Sequence, residues 1–281
     1  MVLTQEKVLF TVPLFLAVWL SAWMAIAFPL VKKLQWRPFQ IIAPEKKLIL
    51  LMPLYLLAPL IVWGALVYLG QSWSEIGVIP AIRSVRSLAY GLGIAIGGIA
   101  LLLGLKSIFQ LFIPHQPENT SVTKTAESKL VRQTLAILGF LALGLWIGGI
   151  EELVFRGWLQ TQLELAFTPW MAASIGSILF AVAHLVWDGR PGLWQQPGLW
   201  LLGWVLVIAR WADGGNLALA WGLHAGWVGS LAYISEFLKS QPVAKNMWLL
   251  GRPGQPLTGG LDFLLMGVTA GLVWWNAGGF P

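Results

Sequence analysis

The sequence predicts an all-α fold, a polytopic membrane bundle of about eight transmembrane helices, and three observations carry that reading. Of 281 residues, 57% are hydrophobic and 11% charged, against roughly 45–50% and about 25% in soluble domains. Mean hydropathy is +0.74. The apolar residues gather in runs of about 20, the length of a bilayer crossing. The 18 Trp and 31 Gly suit the headgroup level and close helix contacts respectively. A water-soluble globule could not cover so much apolar surface. A soluble enzyme, a disordered chain and a secreted disulfide scaffold are therefore excluded. Cysteine is absent, which removes disulfides, thiolate nucleophiles and Cys metal sites. The formal net charge is +6, but the basic residues lie between apolar runs, a pattern that orients spans and does not point to nucleic acid.

Spans are predicted near 8–31, 46–69, 88–112, 135–155, 169–187, 197–211, 216–236 and 258–276. The chain divides into N-terminal helices and loops (1–134), a core carrying the chemistry (135–236), and a loop with the last helix (237–281), all within one integral membrane domain. The first span begins after Lys7 and contains Ala25-Ile26-Ala27, a small-residue triplet like a signal-peptide cleavage site. Lys32, Lys33 and Arg37 follow at once and resist export of what comes next, so the segment reads as a retained helix. Residues 71–87 begin polar and carry Trp73, Ile76, Val78 and Ile79, and read as an interfacial segment. Residues 114–134 are the longest polar stretch and read as a loop with His115 on its surface; Asn119-Thr120-Ser121 reads as a chance sequon.

Lys and Arg counts set the orientation. The loops after spans one, three, five and seven hold Lys32, Lys33, Arg37, Lys46, Lys47, Lys124, Lys129, Arg132, Arg190, Lys239, Lys245 and Arg252. The opposite set holds Lys7, Arg83, Arg86, Arg156 and Arg210. The rule that cytoplasmic loops carry the excess places the first set inside and both termini outside.

Ionisable groups within spans carry the functional signal, because each costs at least about 2.5–3.5 kcal/mol at mid-bilayer and needs a partner or a purpose. The fourth span ends Gly148-Gly149-Ile150-Glu151-Glu152-Leu153-Val154-Phe155-Arg156. Arg156, four residues after Glu152, shares its helix face and should pair with it. Glu151 points about 100° away and is left to meet another helix. On the fifth span Ala173, Gly176, Ser177, Phe180 and His184 share one face. Phe167-Thr168-Pro169 is the natural turn, since Pro suits a helix start. Glu151 lies 16 residues before Phe167 and His184 lies 16 after Thr168, so an antiparallel pair brings both to one level, about 24 Å from the turn. This requires the fourth helix to continue through Arg156, Gln160, Gln162 and Glu164. On the seventh span Gly222 and Gly226 form a GxxxG pattern around His224, and Gly144 and Gly148 play the same packing role beside the glutamates. A lone membrane histidine is more often a structural hydrogen-bonder, and Glu-Glu-Arg can be a buried ion network; two glutamates, two histidines and an arginine on three spans together point to a site.

At these residues the chain resembles the CPBP family of CAAX-protease and bacteriocin-processing membrane proteins. Glu151, Glu152 and Arg156 match its EExxxR motif, Phe180 and His184 its FxxxH motif, and His224 its third motif, in order over residues 140–230. Ile76-Gly77-Val78 is a further echo. The family commonly has Asn four residues after the third-motif histidine, where this chain has Val228. The resemblance implies an eight-helix intramembrane endopeptidase that cuts a membrane-associated protein or peptide. It implies that Glu151 and His184 activate a water, with Glu152 and Arg156 in the same site and His224 holding the oxyanion. Trp227, Ser230 or a backbone N–H would have to replace the missing Asn. The expected cofactor is none; the alternative is a divalent metal such as zinc on Glu151, His184 and His224, a set able to supply three ligands. The expected partners are the substrate and the lipid bilayer. Two other readings stand beside hydrolysis: a catalytically silent scaffold or chaperone, favoured by Val228, and a proton-linked transporter using the buried carboxylates, favoured by the Gly- and Pro-broken later spans.

Overall fold

A computed structural model describes residues 5–108, 112–113, 126–237, 241–242, 247–252 and 254–276. His115, the Asn119 sequon, Lys124, Lys239 and Lys245 lie outside the described residues.

Helix α1 is Gln5–Leu34, α2 Pro44–Leu69 and α3 Ile82–Ile108. Helix α4, Ala126–Glu152, passes without a break into a π-helical turn, Leu153–Leu159, and then into α5, Gln160–Ala166. After a sharp turn come α6, Pro169–Asp188, a 3₁₀ segment, Arg190–Gln195, and α7, Gln196–Ala212. Helices α8, Ala218–Phe237, α9, Met247–Leu250, and α10, Gly260–Asn276, complete the chain. Two residues of extended chain, Phe112–Ile113, pair antiparallel with Gln241–Pro242.

Among the described residues, five helices are long and apolar enough to cross a bilayer: Val8–Leu34, Pro44–Leu69, Ile82–Ile108, Val131–Ala166 and Pro169–Asp188. The protein is an integral, multi-pass membrane protein. Helices α7, α8 and α10 occupy the last three expected spans. Both α7 and α10 have 17 residues, which reach about 26 Å. In α8, glycine, His224 and the two tryptophans dilute the hydropathy.

Chemistry at the helix ends explains where they stop. Gly70 closes α2 in the left-handed region (φ 66°), its N–H directed to the Leu66 and Val67 carbonyls. Thr168 caps α6 by accepting from the Met171 N–H at 3.4 Å, with Pro169 in the first turn. The turn thus falls at Phe167-Thr168-Pro169, where proline placed it.

The hydrophobic interior has two parts. One joins α1 and α2 to the π turn: Trp19, Trp23, Leu50, Leu54 and Trp158 are buried. The indole N–H groups of Trp19 and Trp23 donate to the Leu54 and Leu50 carbonyls at 2.9 Å each, which satisfies donors that lipid could not. The other joins α3, α7, α8 and α10 through Ala95, Leu206, Leu223 and Val273. Helix α8 runs between α3 and α4 at glycine contacts. A Cβ on Gly222 would stand 2.1 Å from the Leu88 carbonyl oxygen, and one on Gly144 2.3 Å from that of Ala225. Gly222 and Gly226 therefore serve α3, while Gly144 and Gly148 meet the other side of α8.

Part of the 71–87 segment departs from expectation: residues 73–77 form a turn, but α3 starts at Ile82 rather than 88. Ile76 is fully buried. Gly77 (φ 86°) accepts from the Leu217 N–H at 2.9 Å, and a Cβ there would collide with the Gly215 carbonyl. Ile76 docks because a lone apolar side chain gains more inside the bundle than at a wet surface. At the exposed rim of this turn the Ser72 hydroxyl (2.8 Å) and N–H (3.0 Å) hold the Glu75 carboxyl below the usual carboxylate range.

The loop-charge tally also needs correction. Arg156 and Arg210 are buried and ion-paired within the bundle, so neither is a loop charge. Their exclusion leaves Lys7, Arg83 and Arg86 in the sparse set and strengthens the asymmetry.

Candidate active site

The π turn is where the membrane-depth charges converge. Helicity continues from α4 through Arg156, Gln160, Gln162 and Glu164 as the polar pattern requires, and these side chains face protein. Glu152, Arg156, Gln160 and Gln162 are each at most 2% exposed.

Arg156 Nη1 donates to Glu152 Oε1 at 3.1 Å, the pairing expected from their spacing. The Arg156 guanidinium also lies over the Phe180 ring, 4.2 Å from its centroid, a cation–π contact of the desolvated kind. Phe180 is the hub of the site. His184 and His224 pack against its ring at centroid distances of 4.7 and 5.9 Å, and Phe155 meets it edge-on at 5.2 Å.

His224 stands between the two glutamates. Its Nδ1 lies 2.8 Å from Glu152 Oε1 and its Nε2 3.5 Å from Glu151 Oε2. Both ring nitrogens thus face carboxylate oxygens. A neutral imidazole has only one N–H, so hydrogen bonding on both edges at once needs one further proton, on the ring or on a carboxylate.

Glu151 gains a partner that the sequence reading did not identify: the Tyr55 hydroxyl of α2 donates to its Oε1. Tyr55 sits in an apolar helix without any pattern to mark it. Its T-shaped contact with Trp146, 5.7 Å between centroids, holds the ring against α4.

His184 is half-buried on α6. Its Nδ1 lies 2.8 Å from the Phe180 carbonyl oxygen of its own helix. A carbonyl only accepts, so Nδ1 carries the hydrogen and a neutral ring leaves Nε2 with its lone pair available. His184 lies within Coulombic reach of Glu151, as the equal counts from the turn anticipate. Phe155 against Phe180 confirms that register: both are 12 residues from the turn.

The five residues divide by access. Glu152, Arg156 and His224 are enclosed at 1–3% exposure, while the Glu151 side chain is 12% exposed and His184 half-buried. His184 is one helical turn from Asp188, whose carboxylate pairs with Lys47 at 2.8 Å. The site therefore lies about 6 Å below that end of α6.

Two further polar groups were not singled out from sequence. Glu164 accepts from Gln160 (2.9 Å), Trp211 (2.9 Å) and Arg210 (3.2 Å), and Arg210 also donates to Thr161 at 2.8 Å. At the same end Asp213 accepts from Ser87 at 2.9 Å and from Arg83 at 3.4 Å. Only the spacing of Gln160 and Glu164 could have signalled the first cluster. Val228, at the position where Asn is common, places no amide beside His224.

Among the described residues, no group of three or more His, Asp and Glu side chains is arranged to hold a metal ion. Nδ1 of His224 is held by Glu152 and Nδ1 of His184 by the Phe180 carbonyl, which leaves both Nε2 atoms open, as they also are in a histidine that binds a metal.

Fold and site together define a class: a polytopic helical membrane protein with a buried Glu-His-Arg cluster near one end of its helices. Comparison with known families places the chain further. Residues 133–230 match the model of the type II CAAX prenyl endopeptidase Rce1-like family, a span that holds all five site residues and the glycines that pack α4 on α8. No curated protein matches the chain.

Proposed function

We propose that the protein is an intramembrane endopeptidase that hydrolyses a peptide bond of a membrane-associated protein or peptide, with Glu151 and His184 activating the water. The family match supports the reaction class. The single observation that carries the residue assignment is the division by access: Glu151 and His184 are the two open groups of an otherwise enclosed cluster.

A water between them gives up a proton to Glu151 as its oxygen attacks the scissile carbonyl. A positioned general base contributes about 10²–10⁴ in rate. His184 accepts from the same water through Nε2, its ring fixed by the Phe180 carbonyl. The carbonyl oxygen becomes an oxyanion on the His224 side of the pocket, where the Nε2 proton stabilises it; such a donor contributes about 2.7–4 kcal/mol. Glu152 sets the His224 ring by holding Nδ1, and Arg156 holds Glu152. Collapse of the tetrahedral centre breaks the C–N bond, and the proton taken by Glu151 passes to the leaving amine.

The test is cleavage of candidate membrane peptides by purified protein in detergent. Glu151→Gln and His184→Ala should each abolish cleavage while the protein stays folded. Unchanged cleavage in either variant overturns the assignment. Activity should persist in strong chelator; loss that zinc restores would overturn the metal-free route. Val228 favours a second reading, a silent scaffold. That reading requires Glu151→Gln to complement a deletion strain as well as the native chain does.

A further inference from the structure

We propose that the groove between α3, α4 and the rear of α8 is a binding site for one acyl chain of a bilayer phospholipid. It lies on the side of α8 away from the glutamates and does not rest on the endopeptidase reading.

The groove is a cavity of about 290 Å³. Its floor is α8 at Gly226, Gly229 and Tyr233, its walls α3 from Ile96 to Leu103 and α4 from Ile137 to Leu141. The glycines seat both walls hard against the floor. A Cβ on Gly226 would stand 2.6 Å from the Ala95 Cβ, and one on Gly229 2.9 Å from the Phe140 carbonyl oxygen. The cavity is the wedge left between the two walls. Ile96, Ala100 and Ile137 at its mouth are exposed. Both walls fall inside the stretches Ile82–Ile108 and Val131–Ala166, each able to cross the bilayer, so the mouth faces hydrocarbon.

Chemistry, shape and position select the occupant. Apart from the Ser230 and Tyr233 hydroxyls, the lining side chains are hydrocarbon. Water there would lack the two to four polar partners it needs, and a vacancy would forfeit the dispersion contacts of the walls. Gly226 to Tyr233 and Ile96 to Leu103 are steps of seven residues, about 10 Å along each helix. Spread over that length, 290 Å³ leaves a slot about 5 Å across, close to the van der Waals width of a single hydrocarbon chain. A helix, about 10–12 Å across with its side chains, does not fit inside. Gly226, Gly229 and Tyr233 follow His224 by two, five and nine residues, about 160°, 140° and 180° around α8 from it. A chain in the groove is therefore a resident lipid, remote from the bond that Glu151 would attack. Tyr233 packs edge-on to Phe140 at 6.2 Å and stacks on Phe237 at 4.9 Å. Such aromatic rings favour the headgroup level, so the chain descends from the end where α8 finishes. Lodged there, it fills the wedge and holds α3 and α4 on the helix that carries His224.

Photocrosslinking tests the site. The purified full-length protein is placed in phosphatidylcholine vesicles containing a phosphatidylcholine with a diazirine in one acyl chain, and the adducts are mapped by mass spectrometry after illumination. Adducts are expected on α8 at Ser230 and Tyr233. Leu101, 63% exposed on another face of α3, measures ordinary contact with the bilayer. Ala100→Phe, which places a ring in the mouth, should remove the α8 adducts and leave those at Leu101. Ile137→Trp, at the opposite lip, should do the same, so that one variant decides if the other fails to fold. Lipid added back to delipidated protein should raise the unfolding temperature of the native chain and not that of the two variants. Absence of α8 adducts in the native protein overturns the site, as does their persistence in both variants. A dimer that Ala100→Phe dissociates, with no α8 adducts, would assign the groove to a second copy of the chain and overturn the lipid.

Discussion

At the scale of single residues, the cluster is a problem in charge balance solved by geometry. Glu151 and Glu152 are adjacent in sequence and both lie at membrane depth. Uncompensated, a buried carboxylate costs several kcal/mol. Glu152 takes Arg156 and His224; Glu151 takes the Tyr55 hydroxyl and the other edge of His224. Tyr55→Phe isolates one of these contacts, because the ring keeps its packing on Trp146 and loses only the O–H. A hydrogen bond to a charged group contributes about 1.5–3 kcal/mol. Cleavage by Tyr55→Phe should accordingly fall by roughly 10- to 100-fold if the bond holds Glu151 in its reactive pose. The melting temperature in detergent should move little. Measuring kcat/KM beside thermal unfolding separates the two, and an active Tyr55→Phe would make the tyrosine a packing residue.

At the scale of elements, the π turn decides how the charges line up. In an α-helix every fourth residue runs slightly past a full turn, so residues 152, 156, 160 and 164 would drift around the axis. The wider turn over Leu153–Leu159 offsets that drift and keeps the row facing the bundle, where it meets α8, α6 and α7 in turn. Such turns often mark functional sites. Nothing in local composition announces one, so sequence placed Glu152 beside Arg156 but not the row as a whole. The α4–α6 register was legible, because it needed only a proline-marked turn and a constant rise per residue. Tyr55 was not legible, since one tyrosine among leucines in α2 looks like interfacial filling. The His224 contact with both glutamates was likewise hidden, because it depends on which side of α8 faces α4. Glycines set that side. Gly144→Val would drive a side chain into the Ala225 carbonyl and push α4 off α8. Overpacking of this kind costs about 1–3 kcal/mol, and here it also separates His224 from the carboxylates. The expected result is lower thermal stability together with lost cleavage. Gly139→Val, on the same helix with nothing within 4 Å of its Cβ position, should change neither; equal damage from both would mean that α4 packs elsewhere.

At the scale of the whole molecule, the contacts sort the connections into two ends. Lys47 meets Asp188, the Phe39 N–H donates to Val186, and Arg252 lies over Trp194, 3.7 Å from its ring centroid. These join the segments after α1, α6 and α9 at one end. The Leu217 N–H donates to Gly77, and Arg83 reaches Asp213, which joins the segments after α2 and α7 at the other. This is the alternation that the loop charges required, and it puts Glu151 and His184 near the basic end. Among the described residues that end carries Lys32, Lys33, Arg37, Lys46, Lys47, Arg132, Arg190 and Arg252 against Arg83 and Arg86 at the other, and the positive-inside rule predicts that it is cytoplasmic. The absence of cysteine makes the test clean, because a single introduced thiol is the only one present. Ser74→Cys and Arg190→Cys are both exposed positions on opposite ends. In intact cells a membrane-impermeant maleimide should label residue 74 at once and residue 190 only after permeabilisation. Labelling of both from one side would break the two-ended architecture. The reverse pattern would keep that architecture but turn the molecule over, placing Glu151 and His184 toward the outer leaflet.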